Sequence, residues 1–176
     1  DQGELVSKYS NAKIIVNDVE WYEMRNPNNR TRGTYLRENW EPIQDQVTTF
    51  SEYINVIPEI QMIHTSGHSN GHSIVLLKQG EDTMINMGDL MLTHVHRNPL
   101  WVPAVDDYPM KYILAKEKWL RQAFENHYKF FFYHDQFFAV AEFDKEGKEF
   151  VDYVLRSRPP LIPFTDQQDR KPDFLG

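Results

Sequence analysis

The 176-residue chain is 40% hydrophobic and 14% aromatic, enough for one domain with its own core and too apolar for an intrinsically disordered segment. Its formal charge of −7, with 19 Lys+Arg against 26 Asp+Glu and no basic block, argues against a nucleic-acid partner. With no cysteine, any metal must sit on His and carboxylates; no long apolar run or leader pattern points to a membrane span or export signal, so a cytoplasmic location is expected.

Polar residues Asp1 to Ser10 give no element, and Ala12 to Val16 reads as a short buried strand, so the chain is expected to start in mid-fold. Asn17 and Asp18 are N-cap types before a short helix over Val19 to Arg25, closed by the turn Asn26-Pro27-Asn28-Asn29. A second helix is expected from Pro42 to about Tyr53, with Ile43, Val47 and Phe50 on one face. Strands follow over Ile60 to His64, Ser73 to Lys78 and Thr83 to Met87, separated by turns containing Gly67, Gly71 and Gly80.

Asn98 to Pro109 holds three prolines among Trp, Leu and Val and reads as an ordered loop able to wall a pocket. Met110 to Asn126 carries Ile113, Glu117, Leu120 and Phe124 at helical spacing. Phe130 to Tyr133, Phe137 to Phe143 and Phe150 to Leu155 read as strands, and residues 156–176 as an extended peripheral tail. Irregular alternation of helices and strands favours a layered mixed α/β (α+β) fold over a doubly wound parallel sheet, with residues 1–155 in one domain.

Three ligand-type residues stand at strand ends. His68 lies in Gly67-His68-Ser69-Asn70-Gly71-His72, whose glycines allow the turns that aim an imidazole off a sheet; His72 beside it reads as structural. Asp89 follows the strand ending at Met87, and alone it is equally a helix or turn cap. His134 ends the apolar run Phe130 to Tyr133, where a satisfied core histidine is the plainer reading. Taken together they suggest loops converging on one ion, and imidazole with carboxylate suits zinc, iron, manganese or cobalt better than calcium.

The order strand, Thr65-Ser66-Gly67-His68-Ser69-Asn70-Gly71-His72-Ser73, strand, Gly88-Asp89, late His134 resembles the metallo-β-lactamase superfamily from about Asn11 to Lys148. Thr31 to Leu36, Gly88 to His96, Asn98-Pro99-Leu100-Trp101 and Phe132-Tyr133-His134-Asp135 look like its quorum-quenching N-acyl homoserine lactonase group. The resemblance implies an αββα sandwich and two divalent ions, zinc being the first expectation. It assigns His68 to one ion, His134 to the other and Asp89 to the bridge between them. It implies lactone opening by a bridging hydroxide, with the same fold acting on another ester, a phosphotriester or a β-lactam as the alternative.

The resemblance also has gaps. The family's His-x-His-x-Asp-His motif, which supplies the other ligands and the proton-carrying Asp, is not in this sequence, and His94-Val95-His96 does not replace it. The N-terminal part of the sandwich is therefore expected on a complementary segment, a separate chain included, and the isolated 176 residues are expected to be an inactive fragment or binding module. Leu92 stands where some lactonases carry a substrate-polarising Tyr. His94 is left either to assist catalysis or to pack as a structural side chain. Leu92, Trp101 and Tyr108 are the expected pocket residues for a small ester or lactone, Trp101 serving equally well as a core plug. A homodimer is compatible with this reading.

Overall fold

The computed structural model describes residues 5–157; most of the tail expected over 156–176 lies outside them. Strand β1 (Ile14–Asn17) leads directly into helix α1 (Asp18–Arg25), whose start is fixed by Asn17: its side chain accepts the Val19 N–H at 3.0 Å. The same buried side chain donates to the carbonyls of Phe50 and Ser51, tying α1 to strand β2 (Val47–Phe50). β1 and β2 pair in parallel as a two-stranded ribbon.

The helix expected from Pro42 to Tyr53 is not formed. A four-residue helix α2 (Arg37–Trp40) and a 3-10 segment Glu41–Gln46 precede β2, and Tyr53 opens a further strand β3 (Tyr53–Ile57). The run Val47-Thr48-Thr49 is β-branched, which restricts χ1 in a helix, and pairing with β1 satisfies its backbone; local propensity and tertiary contact agree on a strand.

β3 begins a seven-stranded sheet of order β3-β4-β5-β6-β7-β8-β9, with β4 (Ile60–His64), β5 (Ser73–Gln79), β6 (Asp82–Asn86), β7 (Lys129–Phe131), β8 (Phe138–Phe143) and β9 (Phe150–Leu155). All neighbours are antiparallel except β6 and β7, which are parallel and joined through helix α3 (Pro109–Glu125). Parallel neighbours need such a crossover, and Pro109 in the first turn suits its start. Among the described residues there is this one large sheet, and the second large sheet of a full αββα sandwich is not formed by them.

α3 buries Tyr112, Lys116, Trp119, Leu120 and Ala123, a stripe rotated by about one residue from the one the sequence suggests; Leu114 points to solvent. Against it pack Ile74, Leu76 and Ile85 of the sheet with Phe130, Phe132, Ala141 and Phe143. Each large side chain removed from water there contributes roughly 1.5–3 kcal/mol. That core fixes the strand ends from which the candidate site projects.

Candidate metal centre

His68 lies in the loop between β4 and β5, Asp89 in the 3-10 turn Gly88–Leu90 after β6, and His134 in the turn between β7 and β8. Because β5 runs against β6 and β6 runs with β7, the start of β5 and the ends of β6 and β7 share one sheet edge. Gly67 sets the His68 loop down on α3. Its φ of +106° is one that L side chains rarely adopt, and a Cβ there would stand 2.7 Å from Tyr112 Cα.

The three residues meet at the Asp89 carboxylate. His68 Nε2 is 3.2 Å from Asp89 Oδ2, and His134 Nε2 is 3.4 Å from Asp89 Oδ1. Two nitrogen or oxygen ligands on one tetrahedral zinc are about 3.3 Å apart, given metal–ligand lengths near 2.0–2.2 Å. Each side of Asp89 thus presents one imidazole and one carboxylate oxygen at ligand-pair spacing. Among the described residues no group of three or more His, Asp or Glu side chains closes around a single point. Three residues split over two positions give two donors to each, a donor set that would suit half of a two-ion centre.

Each of the three is held by neighbours. His68 Nδ1 is 2.6 Å from Asp106 Oδ1. Asp89 donates its backbone N–H to His72 Nε2 at 3.1 Å, while His72 Nδ1 is 2.7 Å from Thr65 Oγ1. Burial, with the nearby His68 adding to it, pushes His72 down to about 4, so the ring is neutral and Nδ1 carries the proton donated to Thr65. The Tyr133 hydroxyl donates to Asp89 Oδ1, and its ring lies 4.1 Å from that of His134. Burial, then this bond, pushes the phenol up.

α1 braces the His68 loop. Glu20 accepts from the Ser69 hydroxyl at 2.6 Å, the Gly71 N–H at 3.1 Å and the Tyr35 hydroxyl at 2.5 Å, and Glu23 accepts from the Asn70 side chain at 2.8 Å. At the His134 turn, Arg156 donates to the carbonyls of Asp135 and Phe132, so the start of the expected peripheral tail is built into the site. His94 is not beside Asp89. Its backbone N–H and Nδ1 both bond Asp135 Oδ2, at 2.8 and 2.6 Å, and its ring packs on Phe138. Burial pushes the Asp135 carboxyl up, but N–H donors from His94, Phe138 and Phe137 together hold it below the usual range. His96 is turned to Thr93 instead.

Two cavities are formed by the described residues, one of them lined by His68. A polar one of about 310 Å³ is lined by Arg30, Thr31, Thr34, Tyr35, His68 and Ser69, with Arg30 paired to Asp107 at its rim. An apolar one of about 370 Å³ is lined by Leu92, Leu100, Trp101, Val102 and Pro103 with His96. Leu92 and Trp101 line this same apolar cavity. Trp101 is half-exposed and plugs no core. Tyr108 lines neither cavity; its hydroxyl faces Glu23 at 3.5 Å, under Lys111.

No protein-family model matches the chain, and no curated protein does. Solved structures do. A probable metal-dependent hydrolase from Staphylococcus aureus is 35% identical, with a TM-score of 0.79 over 82% of this chain and 52% of its own. The architecture is metallo-β-lactamase-like. A hydrolase of the beta-lactamase superfamily (20% identical, TM-score 0.71, 89% of this chain and 59% of its own) shares the fold. So does a dizinc quorum-quenching lactonase solved with its product N-hexanoyl-L-homoserine (16%, 0.65, 88% and 60%). The chain spans between half and three-fifths of the length of these three structures.

Glu20, Glu23, Asp106 and Arg156 carry no motif that marks them in the sequence. In the site they act on partners 15 to 51 positions away, which only the fold brings near. Asp135 and His94 both stand out in the sequence, but their pairing across 41 positions is a contact that only the fold makes.

Proposed function

We propose that this chain carries half of a two-metal hydrolase centre, with His68 and His134 each binding one divalent ion, zinc first, and Asp89 bridging both. The observation that carries the reading is the Asp89 carboxylate, with an imidazole Nε2 at ligand-pair distance from each oxygen. Two ions held there would supply Lewis-acid polarisation of a carbonyl and a water acidified toward neutral pH. The substrate proposed is a lactone, N-acyl homoserine lactones in particular. The apolar wall of Leu92, Leu100, Trp101 and Val102 suits an acyl chain, and the polar cavity beside His68 suits the amide and ring oxygens.

The missing ligands and the proton-carrying group are proposed to come from a complementary segment or second chain. Two donors per ion are too few for a closed or catalytic zinc site. Tyr133, whose hydroxyl donates to Asp89, and Phe137 are also exposed apolar side chains at the His134 turn. The test is ring opening of N-hexanoyl homoserine lactone, followed by proton release, for this chain with and without the complementary segment after zinc loading. Turnover is expected only from the complex and is lost in Asp89→Ala. A zinc-loaded complex that leaves lactones intact, while cleaving another ester or a phosphotriester, would move the substrate assignment.

A further inference from the structure

Asp106 takes part in no step described above, and its position is tightly specified. It stands in the proline-rich loop before α3, where Asp107 donates its N–H to the His68 carbonyl and Tyr108 donates to that of Gly67, both at 3.0 Å. These two bonds zip the loop onto the His68 turn, one residue after Asp106 and at the next. The Asp106 side chain is 0% exposed, and among the described residues its only hydrogen-bond partner is His68 Nδ1, at 2.6 Å. No Lys or Arg nitrogen of the described residues lies within ion-pairing distance of it. A buried carboxylate with one partner is costly to keep and is a weak source of stability.

The geometry has one chemical consequence. Both ring nitrogens face carboxylate oxygens, Nδ1 toward Asp106 at 2.6 Å and Nε2 toward Asp89 Oδ2 at 3.2 Å; a neutral ring has one proton to donate, and the shorter contact, to the otherwise unpartnered Asp106, takes it, leaving the Nε2 lone pair on the Asp89 side. Left to itself, a neutral imidazole exchanges between both tautomers, and one of them presents N–H where a cation would bind.

We infer that Asp106 is a positioning residue that locks His68 as the Nδ1–H tautomer, so that Nε2 is a ready electron-pair donor toward the position it shares with Asp89. The zinc arm of the test rests on the metal reading above; the tautomer arm does not.

Long-range ¹H–¹⁵N NMR of the metal-free full chain at pH 8.5, with His68→Asn to assign the signal, reports which ring nitrogen bears the proton. Nδ1–H is expected for the unaltered chain. Asp106→Ala should convert His68 to a mixture dominated by Nε2–H, and Asp106→Asn, which keeps an acceptor oxygen, should restore Nδ1–H. Competition with a chromophoric chelator should show zinc affinity falling by about 10–100-fold in Asp106→Ala. It should fall less in Asp106→Asn. If Asp106→Ala does not fold, the unaltered chain and the Asn variant still decide. His68 found as Nε2–H in the unaltered chain overturns the inference, as does an Ala variant with tautomer and zinc affinity unchanged. A correct tautomer series with no zinc binding at all would fault the metal reading and leave Asp106's role intact.

Discussion

His72 Nε2 accepts the backbone N–H of Asp89 at 3.1 Å, so the residue between the two imidazoles is held by its main chain, independently of its carboxylate. The contact requires Gly88. Its φ is +55°, and a Cβ there would come 2.5 Å from that same His72 nitrogen. Gly80 is the natural control, with φ +62° and nothing within 4 Å of its Cβ. Gly80→Ala is expected to cost about 1–2 kcal/mol in urea unfolding, the left-handed backbone term alone. Gly88→Ala should cost a further 1–3 kcal/mol or so, from overpacking and loss of the His72 bond. Equal costs for the two would mean that His72 does not restrain Asp89.

Arg156 makes the corresponding restraint at the His134 turn, donating to carbonyls on either side of it. Removing it leaves two part-buried carbonyls without these partners. Arg156→Ala is expected to destabilise by about 1–3 kcal/mol. Faster amide exchange should appear at residues 132–138 and be absent from the β4–β5 loop. Arg156→Lys should recover only part of this, because one ammonium does not reproduce a planar fork that reaches two carbonyls. Uniform loss of protection across the sheet would assign Arg156 a general packing role instead.

What the sequence made legible follows from the range over which each signal acts. The β4–β5–β6 meander, α3 and the strand ends bearing His68, Asp89 and His134 are written locally, as short apolar runs broken by glycine, or as helical spacing over 17 residues. The segment Val47–Phe50 was misread because Pro42 and the apolar positions after it also fit a helix, and the parallel pairing with β1, 33 positions away, decided otherwise. α3's buried face was shifted because Lys116 is buried, a choice no hydrophobic pattern would make. That the three ligand-type residues meet at one carboxylate was accessible from family order and not from any one of them. The residues bracing them were out of reach, since an acid on α1 such as Glu20 looks like any solvated helix charge.

Glu20 itself is testable. Its carboxylate receives three donors, two of them from the loop that carries His68. Charge-assisted bonds of this kind contribute roughly 1.5–3 kcal/mol each before non-additivity. Glu20→Ala is therefore expected to cost roughly 2–4 kcal/mol. Glu20→Gln, which keeps an acceptor, should cost about half as much by the same reasoning. A double cycle with Ser69→Ala should give a coupling of about 1 kcal/mol. A coupling near zero would place the loop's restraint elsewhere.

Lys116 gives a pH dependence of unusual sign. It is wholly buried on α3, with Nζ donating to the Trp101 carbonyl at 3.1 Å and lying 3.5 Å from the Tyr112 hydroxyl. Burial pulls it from 10.5 down to about 8, against a smaller upward pull from Asp106. Below pH 8 both folded and unfolded chains hold the proton, and the full cost of the buried charge is present. Between about pH 8 and 10.5 the unfolded chain binds the proton and the folded chain does not, so stability rises with pH over that window. Lys116→Met lacks the group. The unfolding free energy of the unaltered chain minus that of the variant should therefore climb by up to roughly 3 kcal/mol from pH 8 to 10.5, and be flat below. Urea unfolding at half-unit steps of pH measures it. A difference that falls with pH would mean that the ammonium is stabilised where it sits, and that Lys116 holds the cavity wall at Trp101 as a favourable charge.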